Sequence, residues 1–184
     1  MQEKGFILGA TEDGILYYRE NKNEYGLEIE QKVMEWLLVV QEALKIAYNK
    51  QSRIRKMKKG YYRLNVYSKS LYHELVGLRN NPQRILEQPE AFQTGFLQGI
   101  FDAEGSVRLD RNHISVSSNR ESLISLVTFL LVKRDIIAGK PWQDSAGVIS
   151  LSIYGIDDIK KFSDLVGFRH PEKKHRLQLL VNGV

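Results

Sequence analysis

Two acidic residues close two glycine-punctuated apolar stretches. In FQTGFLQGIFDAEG (92–105), Gly95, Gly99 and Ala103 recur every four residues, so on a helix they share one face. A face of small residues lets a second helix approach backbone to backbone, a steric rule that holds in water as well as in a bilayer. Glu104 then emerges at the C-terminal end of the helix, where the helix dipole disfavours an anion. A divalent cation offsets that cost, and carboxylate oxygens are the ligands a hard cation takes. The segment GFILGATEDG (5–14) is a degenerate copy. Gly5 and Gly9 precede Gly95 and Gly99 by 90 residues, whereas Gly14 precedes Gly105 by 91, so the first copy is one residue shorter. If the two helices pack along their small faces, an acid of the first copy lies beside Glu104. Anchoring on Gly14 selects Asp13 as that acid; anchoring on Gly9 selects Glu12.

The copies open a longer repeat. After Gly14, ILYYRE reads as a strand and LEIEQK (27–32) alternates as a second, with NKNEYG (21–26) turning between them. Val33, Trp36, Leu37, Val40, Leu44 and Tyr48 form the apolar stripe of a helix. A basic strand and turn from Arg53 to Gly60, the strand YYRLNVYS (61–68) and the helix SLYHELVGL (70–78) complete the half. The second half repeats the order: SVRLD (106–110), ISVSS (114–118), a helix over 120–134, strands at 139–144 and 147–155, and a helix at 156–167. YHELVGL (72–78) and FSDLVGF (162–168) match at the same offset of 90. The spacing predicts an α+β chain of two αββαββα halves, 1–78 and 92–168. A Pro-punctuated linker (79–91) joins them, and a basic tail (169–184) is helical after Pro171. A repeat this long is a duplicated half-domain rather than a solenoid unit.

Composition narrows the partners. The net charge of +5 favours an anionic one. With no cysteine there is no disulfide and no thiolate metal site. No apolar run approaches the roughly 20 residues needed to span a bilayer. MQEKGFILGA lacks the basic-then-apolar order of a signal peptide, so a cytoplasmic location is the expectation.

LQGIFDAEG (97–105) is very similar to the LAGLIDADG motif. Together with the repeat, it makes the chain resemble a two-motif, single-chain LAGLIDADG homing endonuclease of the small intron-encoded kind. That resemblance implies a saddle of antiparallel sheets with the motif helices paired at its centre. It also implies a monomer that hydrolyses both strands of a long asymmetric double-stranded DNA site. The acid before the last glycine of each motif would bind metal: Glu104 in the second motif and Asp13 in the first, with two or three Mg²⁺ ions in all. Asp102 reads as a packing or polar-network residue. Gln31 and Lys32 look like the family's Gln-Lys pair, and Lys69 resembles the basic residue opening the helix after the fourth strand. The second-half counterpart of Lys69 falls near Ile156, so Arg108 is the candidate for the missing charge. The alternatives within the same fold are an intron RNA-splicing maturase and a catalytically silent DNA-binding protein.

The polar members of each strand would face the duplex. In the first half these are Tyr17, Arg19, Glu28, Glu30, Arg53, Arg55, Lys58, Arg63, Asn65 and Tyr67. In the second they are Arg108, Asp110, Ser115, Ser117, Asn119, Lys140, Trp142, Ser150, Ser152 and Tyr154, with Lys173 and Lys174 reaching phosphates from the tail. A two-stranded ribbon fits the major groove, where Arg matches guanine and Asn or Gln matches adenine.

Overall fold

The computed structural model describes residues 1–183. The first half runs α1 (Gln2–Ala10), β1 (Gly14–Arg19), β2 (Glu24–Gln31), α2 (Met34–Tyr48), β3 (Arg53–Lys56), β4 (Tyr62–Tyr67) and α3 (Lys69–Asn80). The second runs α4 (Glu90–Glu104), β5 (Gly105–Arg108), β6 (His113–Ser118), α5 (Glu121–Val132), β7 (Trp142–Gln143), β8 (Ile149–Ile153) and α6 (Ile156–Leu165), and α7 (Pro171–Asn182) follows. Each half forms a four-stranded antiparallel sheet, in the orders β1-β2-β4-β3 and β5-β6-β8-β7. The two halves are related by pseudo-symmetry, and α1 and α4 pack together at the centre.

Strand alternation separates a core face from a polar face. Leu27, Ile29, Leu64 and Val66 are buried in the first sheet, and Val107, Ile114, Val116, Leu151 and Ile153 in the second. They pack into one core with Trp36, Leu37, Val40 and Leu44 of α2 and with Leu123, Ile124, Val127, Leu130 and Leu131 of α5. The alternation fixes the register, because a slip of one residue would turn every core side chain outward.

Two elements differ from the sequence reading. The strand expected over 139–144 shrinks to Trp142 and Gln143, because Pro141 has no N–H to give the ladder. The basic strand and turn fall as read: the strand ends at Lys56, and Lys58–Gly60 form a turn in which Lys59 takes a left-handed backbone, with φ of 65°. The linker is not loose: α3 continues to Asn80, Pro82–Ile85 make a 3-10 turn, and Ile85 is buried in the core.

Candidate active site at the paired helix ends

Four glycines set the distance between α1 and α4. A Cβ on Gly9 would lie 2.4 Å from the Phe96 carbonyl oxygen, and one on Gly99 would lie 2.2 Å from that of Phe6. Gly5 and Gly95 repeat the arrangement against the carbonyls of Phe92 and Gln2. Each contact is the pseudo-symmetric image of the other, so both helices present their small faces and their C-terminal ends arrive together.

The missing residue of the first copy is absorbed by local geometry. α4 stays α-helical through Glu104, while α1 ends at Ala10 and Thr11–Asp13 tighten into a 3-10 turn. Three 3-10 residues rise about 6 Å, as do four α-helical ones. Asp13 therefore leads directly into β1 at Gly14, as Glu104 leads directly into β5 at Gly105.

Asp13 and Glu104 are near enough to disturb each other. Burial pushes the Asp13 carboxyl up, opposed by a hydrogen bond from Gln31 and by the charge of Lys173. The Gln31 amide Nε2 donates to Asp13 Oδ2, and Gln31 Oε1 accepts from the Lys32 backbone N–H at 3.1 Å. Glu104 stands exposed at its helix tip, yet desolvation by its surroundings, followed by the charges of Asp13 and Glu12, pushes its carboxyl up too. Gln31, Lys32, Ser106, His170, Lys173 and Arg176 line a groove of about 320 Å³ beside this pair.

Glu12 is committed elsewhere. Its carboxylate meets Arg79 at 3.2 Å and Arg120 at 2.8 Å. Asp102 occupies the same place in the second motif, at an offset of 90. It is fully buried and accepts from Trp36 Nε1 and from the Arg169 backbone N–H, both at 3.0 Å. Burial first of all pushes its carboxyl up to about 6. Arg120 opens α5 and reaches a first-half acid, while Trp36 on α2 reaches a second-half acid, so these two contacts tie the halves together. Arg79 and Arg169 were missed from sequence, although the matched LVGL and LVGF segments each continue into an arginine.

The other predicted positions divide between the site and the sheets. Lys32 lies over the Tyr61 ring at 5.2 Å, close to Gln31. Lys69 does not join the site: it opens α3 just beyond Tyr67, which pairs with Gly26, whereas Gln31 pairs with Tyr62 at the opposite end of β4. Five strand residues separate those ends by about 17 Å, and Lys69 sits over the Tyr25 ring at 5.4 Å. Arg108 is also directed away, at the far end of β5, with a fork of bonds to Asp110 at 3.0 and 2.9 Å. Lys173 is not a free phosphate-seeking side chain. Its Nζ donates to the carbonyls of Phe101 at 3.2 Å, Asp102, and Ala103 at 3.3 Å. Lys174 is exposed.

The strand registers put Tyr17, Arg19, Glu28, Glu30, Arg53, Arg55, Arg63, Asn65 and Tyr67 on the polar face of the first sheet. There Arg63 bridges Glu28 and Glu30, and Asn65 donates to Glu28 at 2.9 Å. The second sheet presents Ser115, Ser117, Ser150 and Ser152, with Trp142 and Tyr154 at its margin. Its hydroxyls pair with one another, Ser106 with Ser115 at 2.9 Å and Ser117 with Ser150 at 2.8 Å. Lys58, Asp110, Asn119 and Lys140 lie in the connecting turns.

Two carboxylates at helix C-termini form an all-oxygen donor set. Among the described residues no group of three or more His, Cys, Asp or Glu side chains gathers as a metal cage. The donor set therefore fits a cation such as Mg²⁺, which keeps several waters and takes one or two protein carboxylates.

Comparison with known proteins agrees with this geometry. The family model of the LAGLIDADG-like domain matches residues 91–167, and that of the WhiA LAGLIDADG-like domain matches residues 5–71. The homing endonuclease I-ApeI of Aeropyrum pernix is 27% identical over 191 residues, covering 96% of this chain and 86% of that protein. A solved structure of I-DmoI in complex with DNA and Ca superposes with a TM-score of 0.75 at 22% identity, covering 96% of this chain and 97% of that one. Full-length DUF199/WhiA from Thermatoga maritima superposes with a TM-score of 0.66 at 20% identity, covering 97% of this chain and 60% of that one. The structural likenesses establish the fold.

Proposed function

We propose that this chain, which belongs to the LAGLIDADG family with one such domain in each half, is a site-specific DNA endonuclease that hydrolyses both strands of a long asymmetric duplex with Mg²⁺. The observation that carries the reading is the placement of Asp13 and Glu104 at adjacent ends of two glycine-locked helices, each carboxyl pushed up by burial and Glu104 further by the charge of Asp13. Such a pair is unfavourable unless a cation joins it. The match to I-ApeI over nearly the whole chain supports the same conclusion.

Asp13 and Glu104 would hold the ions, two or three in all, from opposite sides of the pseudo-twofold axis. When bound, such an ion supplies positive charge to the scissile phosphate and makes a bound water more acidic. Gln31 fixes the rotamer of Asp13 by donating to Oδ2, which leaves the other carboxylate oxygen open. Lys32, exposed beside the groove, faces the phosphate that enters it. Lys69, at the start of α3, and Arg108, at the far end of β5, would bind DNA backbone farther from the paired acids. The polar sheet faces read bases, with Arg53, Arg55 and Arg63 suited to guanine and Asn65 to adenine. The chain acts as a monomer, because its internal repeat already supplies both acids.

A second reading rests on the WhiA-like match of the first half and on the shortened first motif: a DNA-binding protein of this fold that does not cut. One experiment separates the two. Random duplexes incubated with the protein and Mg²⁺ should yield cut ends at a single shared sequence, on both strands, and none in the presence of a chelator. Sequence-selective retention of duplexes without cut ends supports the silent binder instead, and retention of RNA but not DNA supports the maturase.

A further inference from the structure

We propose that Lys173 is a positioning residue, a fixed ammonium that braces the end of α4 and keeps Asp13 and Glu104 together before any metal arrives. The inference rests on the assignment of those two acids as the metal-holding pair. The last carbonyls of an α-helix have no partner within the helix and carry the negative end of its dipole. Lys173 Nζ gives its three donors to the carbonyls of Phe101, Asp102 and Ala103, directly before Glu104. Burial lowers the Lys173 pKa, the charges of Asp102, Asp13 and Glu104 oppose that, and the Lys173 charge in turn acts on both Asp13 and Glu104. With all three donors spent on backbone oxygens, the side chain has none left for DNA.

The first helix end is built differently. The residue 90 positions before Lys173 is Gln83, which carries no charge. There Arg79 and Arg120 clasp Glu12, and Arg79 Nη1 reaches the Thr11 carbonyl at 3.5 Å. The tail helix α7 thus completes the centre of the molecule rather than extending its DNA-binding face.

A double-mutant cycle in the absence of DNA tests this on the full chain. Lys173→Met is made in the natural sequence and in an Asp13→Asn/Glu104→Gln background, and thermal midpoints are compared. If Lys173 acts as counter-ion to the acids, its loss lowers the midpoint in the natural background and at most half as far in the neutralised one. An equal fall in both backgrounds overturns the proposal and leaves Lys173 as a cap of carbonyls only. Should Lys173→Met alone fail to fold, the triple variant decides: folding upholds the coupling, and failure overturns it. Because the readout needs neither DNA nor cleavage, a chain that proves to be a silent binder still answers the question.

Discussion

Glu12 and Asp13 adjoin each other yet do opposite work. Glu12 is held by two arginines and joins the halves, whereas Asp13 has one amide donor and turns toward Glu104. Glu12→Gln should therefore cost about 2 kcal/mol of stability, measured by urea unfolding, by leaving Arg79 and Arg120 with a neutral partner. Cleavage by the folded fraction should persist; loss of cleavage without loss of stability would reverse the two roles. His170 offers a pH test. It is buried against Trp36, and burial foremost lowers its pKa below the usual 6.5. The unfolded chain thus takes up the proton first, so the stability this histidine contributes is complete above about 6.5 and is lost as pH falls below that value. His170→Gln should flatten the stability profile from pH 7 down to 5. At this scale the sequence named Asp13 and Glu104, because acid and glycine stand at fixed spacing. It hid the partners of Arg79, Arg120 and Lys173, which lie 67, 108 and about 70 residues away with no local period to reveal them.

The glycine-lined helix faces were legible because they obey a four-residue period, and close approach leaves room for nothing larger than hydrogen. Gly9→Ala or Gly99→Ala should cost about 3 kcal/mol, since the new methyl meets backbone that cannot rotate away. Gly77→Ala is the matched control. It lies within α3 and its added Cβ would meet nothing within 4 Å, so a gain of about 0.5–1 kcal/mol is expected. Urea unfolding of the three variants checks both signs together. The 3-10 turn at Thr11–Asp13 could not be read from the residues alone, because TED is compatible with an α-helical or a 3-10 turn. The choice is imposed by Gly14 having to pair with Ile29 in the sheet. β7 was overread for a related reason: aromatic and polar residues around Pro141 alternate like a strand, but the proline withholds a donor.

Across the whole molecule the pseudo-symmetry is one of backbone, not of charge. Residues 1–78 hold 13 Lys and Arg against 10 Asp and Glu, whereas residues 92–168 hold 8 against 9. The first sheet faces outward with arginine and glutamate, and the second with paired serines. The first half should therefore carry most of the base reading and most of the salt dependence. Arg53→Ala and Arg55→Ala should each weaken duplex binding about tenfold and shallow its salt slope. Ser150→Ala should change binding by less than about threefold, since a serine that already bonds Ser117 has less to give a base. Titration of labelled target at several salt concentrations measures all three. The duplication was visible as a 90-residue echo in the chain. The unequal charge of the halves acquires meaning once the register assigns those residues to one face.

The most direct test is cleavage of the recovered target in a supercoiled plasmid by the natural protein, Asp13→Asn and Glu104→Gln. Two acids that hold the bound cations jointly predict that either substitution abolishes linearisation in Mg²⁺ while target affinity stays within about threefold. A variant that still cuts both strands at the natural rate would contradict the shared site, and with it the account of why the two helices meet.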